Sequence, residues 1–142
     1  MTPEPKRRPK LGDVVQIALP HGECAYARVY RDATIGVYQV RSSVAGLPPL
    51  GSRDFAFFVG IYDDALKRCP VVGRDPFGEG ESTWPPPRCI KDSITGYFRI
   101  YFQGAMRPAT AEECAGLEPA AVWELDHVVD RLLGRFDWRS FR

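Results

Sequence analysis

Histidine is almost absent from the 142-residue chain, which holds only His21 and His127. A histidine-rich metal cluster therefore has nothing to draw on, and of the usual metal-dependent hydrolase chemistry only an all-carboxylate site remains conceivable. The four cysteines, Cys24, Cys69, Cys89 and Cys114, stand 45, 20 and 25 residues apart. None belongs to the close Cys-x-x-Cys pair from which zinc sites are built. No apolar run approaches the ~20 residues of a membrane-spanning helix. Residues 1–12 are basic with no apolar stretch behind them, unlike a secretory signal. The expectation is a cytoplasmic protein that neither enters a membrane nor forms disulfides, with Cys24 and Cys114 as small buried hydrophobes. Nucleotide loops are missing too. Gly78-Glu79-Gly80-Glu81-Ser82 is followed by Thr83 where a dinucleotide fingerprint needs glycine, and no Gly-Lys-Ser/Thr follows. No catalytic residue, metal or cofactor is assigned.

What is present is ordinary for a globular domain: 44% hydrophobic and 26% charged residues, at a length that suits one core. The net charge of +1 hides a segregation. Residues 1–10 and 131–142 each sum to +3, and the body between them to −5. Residues 112–130 contain six acids and no lysine or arginine. Such a body offers no basic face for phosphates, which argues against nucleic acid, and it suits a basic protein surface. Part of the acid has local work at helix starts, where it complements the dipole. Asp126 is expected to cap the last helix. The residues left to face a partner are Glu112, Glu118, Glu124 and Asp130, with Asp63, Asp64, Glu79 and Glu81 as a second patch.

The pattern of residues is mainly β at first. Three short β-rich runs, at 13–19, 25–30 and 35–40, are joined by tight turns at Pro20-His21-Gly22 and Arg31-Asp32-Ala33. They read as an antiparallel meander, with Val15, Ile17 and Leu19 on one face. The run 55–62 is apolar enough to be central in the sheet. Asp63 should cap one helical turn ended by Pro70. Loops are expected at 44–51 and at 76–87, where Trp84-Pro85-Pro86-Pro87 has polyproline-II character and reads as a rigid connection packed on its own domain, with an SH3 or WW ligand as the alternative. A further strand is expected at 97–101. The C-terminal third turns helical. Thr110 and Glu113 form a capping box, and Gly116 supplies a left-handed stop. Residues 120–123 could be a strand or an apolar link. Residues 126–133 should form a helix with an apolar stripe of Val128, Val129, Leu132 and Leu133. The expected class is α+β, mainly β, as a small antiparallel curled sheet or SH3-like barrel with short C-terminal helices.

Several stretches resemble the immunity protein 26 family. One is Lys10-Leu11-Gly12-Asp13-Val14-Val15-Gln16-Ile17-Ala18-Leu19 with Tyr26-Ala27-Arg28-Val29, where Ala27 stands in place of the family's glycine. Another is Val59-Gly60-Ile61-Tyr62-Asp63-Asp64-Ala65. The most extended is 107–118, running into Ala120-Ala121-Val122-Trp123, His127-Val128 and Asp130-Arg131-Leu132. The resemblance spans residues 10–133 in order and divides the chain into a flexible basic tail (1–10), one immunity-type domain (11–134) and an Arg-rich tail (135–142). It implies an antidote of a bacterial polymorphic toxin system, which binds the cognate toxin's C-terminal domain without catalysis. Some members carry a phosphotriesterase label, the competing class. A small-barrel adaptor for proline-rich peptides is the third. Of the residues shared with the family, Gly12, Asp13, Thr110, Glu113, Gly116, Trp123, His127 and Arg131 are expected to be structural. His127 and Arg131 stand one helical turn apart.

Overall fold

A computed structural model describes residues 8–43 and 54–135. Most of the expected basic tail, the loop at 44–51 and all but the first residue of the Arg-rich tail lie outside the described residues. The chain is α+β and mainly β, with ten strands and three short helices among the described residues. The strands form two sheets, and among the described residues no barrel closes.

The first sheet is the expected meander, extended. Strands β1 (Asp13–Ala18), β2 (Cys24–Tyr30), β3 (Thr34–Ser42) and β4 (Phe55–Ile61) pair antiparallel in sequence order. Alternation sets Val15, Ala27, Val37 and Phe57 in register across all four strands, on one face. Helix α1 (Asp63–Lys67) packs Ala65 and Leu66 onto that face. Pro70 blocks further helix, and β5 (Val71–Arg74) turns back along β1. Asp63 is not a cap, contrary to expectation. Tyr62 holds that position without a side-chain bond, and the Asp63 carboxylate pairs with Arg8 at 3.0 Å and Lys67 at 3.2 Å.

The second sheet comprises β6 (Arg88–Lys91), β7 (Phe98–Phe102) and β8 (Ala105–Ala109). After α2 (Ala111–Cys114) the chain adds β9 (Glu118–Pro119) alongside β6, then β10 (Val122–Trp123) alongside β4. Both additions are parallel, so neither sheet is wholly antiparallel as expected. One crossing segment stitches the two sheets together. The capping box on α2 is formed in both directions, and Gly116 takes φ +83°. Helix α3 (Leu125–Leu132) closes the core with Val128 and Leu132. Its N-cap is Glu124, without a side-chain bond, so Asp126 only complements the first turn and does not cap it.

The first sheet is buried on both faces. Opposite the helices lie Tyr26, Arg28, Tyr30 and Tyr38, with Phe55 and Phe58 beside them. Gly36 makes this aromatic layer possible, because a Cβ there would stand 2.7 Å from the Phe58 ring. The loop after β5 covers the layer, and the fully buried Arg28 fastens it. Arg28 donates to Glu81 at 2.7 and 3.3 Å, to the carbonyls of Asp75 (2.7 Å) and Pro76 (3.0 Å), and to the Tyr30 hydroxyl at 3.1 Å. The Phe77 ring lies 3.8 Å from its guanidinium. Burial by itself would lower the Arg28 pKa, but the bonds to Glu81 and Tyr30 outweigh it and hold the pKa above the ordinary arginine value.

Trp123 is 1% exposed and packs within the main core, so truncating it removes the largest buried side chain. Trp123→Ala is expected to lower stability by about 3–5 kcal/mol, measured from the midpoint of urea unfolding. A midpoint shifted by less than about 1 kcal/mol would show that the core does not rest on the indole.

Candidate functional site

The turn between β2 and β3 projects from the first sheet toward the second. Asp32 and Ala33 both lie in the left-handed region, at φ +64° and +49°. For alanine that conformation is strained by roughly 1–2 kcal/mol, so the surroundings must hold it. They do so on three sides. The Ile61 amide donates to Ala33 O at 2.8 Å, the Thr34 hydroxyl to Asp32 O at 3.0 Å, and the Arg31 amide to Thr83 O at 2.9 Å. The Asp32 carboxylate then reaches across to the second sheet, where it accepts from Arg88 at 2.9 Å and from the Tyr101 hydroxyl at 2.6 Å.

A two-lobed cleft opens around this turn, with Asp32, Ala33 and Tyr101 as its shared wall. The larger lobe, about 750 Å³, is rimmed by Arg8, Lys10 and Arg31 and faced by Tyr30 and Trp84. The smaller, about 330 Å³, has Arg88 beside an apolar wall of Gly60, Ile90, Met106, Ala121 and Val122. Four cations and one carboxylate line the whole, and that carboxylate is already paired. Trp84 is half-buried at the cleft with the Arg31 guanidinium 5.6 Å from its ring, and Pro85 behind it is buried. The arrangement suits recognition of an anionic ligand with an apolar part.

The acidic residues expected to meet a partner are dispersed, and three of the eight are engaged internally. Glu81 holds Arg28, Asp63 holds Arg8 and Lys67, and Glu118 forms a two-point fork with Arg131 at 2.8 and 2.5 Å. Asp130 is half-buried, while Glu112, Glu124, Asp64 and Glu79 are exposed. The pair Asp63 and Asp64 sits on α1 over the core face, whereas Glu81 lies on the opposite face of the same sheet. The second acidic patch is therefore not brought together. A charge reversal at Glu118 would unseat Arg131, which also packs 3.9 Å from the Phe57 ring.

The residues expected to be structural lie in the scaffold. Gly12 takes φ +82° and bonds Val29 and Asp75 through its backbone. Asp13, fully buried, accepts from Arg74 at 2.7 Å and from the Lys10 amide at 2.8 Å. Glu113 pairs with Arg107 at 2.8 Å, and that guanidinium, with the Thr110 amide, lowers its pKa. His127 is exposed while Arg131 is turned inward, so the two side chains of that helical turn differ in surroundings. All four cysteines are free thiols, Cys24 only half-buried. Among the described residues no three His, Cys, Asp or Glu side chains come together as a possible metal site, and no helix is long and apolar enough to cross a membrane. The cleft residues Asp32, Arg88 and Tyr101 carry no local motif, and Trp84 is singled out in the sequence for its prolines and not as a site residue. No family model matches the chain, and no curated protein or solved structure does.

The Asp32 carboxylate favours the neutral form of the phenol that donates to it, so the Tyr101 pKa lies above its ordinary 10.0, with burial adding to the effect. A raised pKa contributes stability that is complete below pH 10 and fades as pH climbs through the raised value. Following the Tyr101 ring carbon by NMR should give a late titration, which moves back toward 10.0 in Asp32→Asn. An unchanged midpoint in that variant would break the link between the two sheets.

Proposed function

We propose that the chain is an immunity-type protein, acting in the cytoplasm by non-catalytic binding to the toxic C-terminal domain of its cognate toxin. The observation that carries this reading is the ordered resemblance across residues 10–133 to the immunity protein 26 family. The structure supports it in one further respect. The shared residues Gly12, Asp13, Thr110, Glu113, Trp123 and Arg131 belong to turns, caps, clamps and core, which is what a rigid binding scaffold requires. Rigidity lowers the entropic cost of association, so a preformed surface rich in aromatic and arginine side chains is a suitable antidote.

Stoichiometry separates this function from the competing hydrolase. Purified chain titrated into the cognate toxin's C-terminal domain should abolish toxicity at an end point of one chain per toxin, with both recovered intact in one complex. Clearance of toxin or of its product at far lower ratios, with turnover, would overturn the binding reading.

A further inference from the structure

We infer that the cleft between the two sheets is the docking site for an acidic peptide segment of the protein partner, one with an apolar side chain set among its carboxylates. The inference rests on the binding reading only in taking the partner to be a protein. It moves the contact away from the acidic residues of 112–130 and onto the cations around the Asp32 turn.

Arg88 carries the argument. Its side chain is 7% exposed, its Nη2 bonds Asp32, and its Nε is buried with no hydrogen-bond partner. A buried N–H without an acceptor is destabilising, the more so where the group is charged, and such groups call for an explanation. Arg88 lines the smaller lobe, and its Nη1 stands 3.2 Å from the place a Cβ on Gly60 would take. The guanidinium thus borders the smaller lobe, where an incoming carboxylate can accept from a charged donor.

Both lobes describe the same occupant. The apolar wall formed by Ile90, Met106 and Val122 takes an aliphatic or aromatic side chain, and the volume of that lobe suits one such group. Met106 and Val122 are 58% and 53% exposed, an uncovered apolar surface beside a buried arginine. The rim of the larger lobe holds Lys10 and Arg31 for further carboxylates, beside Arg8, which is paired with Asp63. Charge complementarity of this kind selects partners and speeds encounter. Asp32 decides between a peptide and a nucleic acid. Its carboxylate, one third exposed between the lobes, repels phosphate and carboxylate alike, but a peptide brings backbone N–H groups that can donate to it and a phosphodiester backbone brings none.

The test uses the full chain labelled with ¹⁵N, whose arginine Nε–H signals are observed directly. The probe is a blocked hexapeptide of aspartates and glutamates around one leucine, raised to millimolar concentration. Its counterpart replaces every acid by asparagine or glutamine, and a thymidine octanucleotide serves as the phosphate arm. The acidic peptide should shift the Arg88 Nε–H together with the amides of residues 31–33, and the neutral peptide should not. Lys10→Glu with Met106→Glu changes two exposed side chains, so folding is kept, and should weaken peptide binding about tenfold or more. No shift with the acidic peptide, equal shifts with the neutral one, or shifts with the oligonucleotide alone would each overturn the inference. So would undiminished toxin inhibition by the double variant. Stoichiometric inhibition by the unaltered chain is a separate measurement, so the binding function can stand while the cleft fails, and the reverse.

Discussion

Arg28 is a charge with no access to water, and much of the structure is arranged to make that tolerable. A buried arginine left unpaired is destabilising by several kcal/mol, so the chain must supply acceptors from all around the guanidinium. It does so with one loop, through Asp75, Pro76 and Glu81, while Phe77 covers the guanidinium face. That loop is thereby held on the second face of the first sheet, where it completes the layer of Tyr26, Tyr30 and Tyr38. The Tyr38 hydroxyl donates to the Asp75 carboxylate at 2.5 Å, and burial followed by this bond pushes its pKa far up. The consequence extends to the site. The same loop runs on into Thr83, which accepts from Arg31 at 2.6 Å, and into Trp84 in the cleft wall.

The same chemistry recurs at smaller scale. Arg74 holds Asp13, Arg88 holds Asp32, Arg107 holds Glu113 and Arg131 holds Glu118. Acids that look like surface charge in the sequence are, in several cases, the counter-ions of arginines brought from distant strands. The Arg28–Glu81 and Arg88–Asp32 partners are 53 and 56 residues apart. The acidic character of the body therefore reports on internal clamps as much as on any partner. The cations whose arrangement leaves room for a ligand gather instead around one turn.

How much of this could be read in advance follows from the range of each interaction. The runs of β1 to β3 are β-rich and bounded by turn residues, β4 is an unbroken apolar run, and the capping box of α2 is a four-residue signal, so all of these were legible. Strand β5 follows a proline and contains Gly73, and β8 contains Pro108 and is an almost wholly exposed edge, so neither carries the apolar alternation of a buried strand. β9 and β10 are two residues each and exist only because parallel partners await them. The expected helix caps at Asp63 and Asp126 failed by one or two residues, because the cap is set by backbone turn and not by the nearest acid. Trp123 and Asp13, expected from the sequence to be structural, are both buried. The cleft was not legible, since Asp32, Arg88 and Tyr101 meet only after two sheets have folded against each other.

Hydrogen exchange of the chain with and without the proposed toxin partner shows which surface that partner covers. The account predicts that amide protection on binding concentrates at 29–33, 84–90 and 99–106, the segments around the cleft, with little change on α2 and α3. Protection confined to 111–130, with the cleft exchanging as in the free chain, would contradict it.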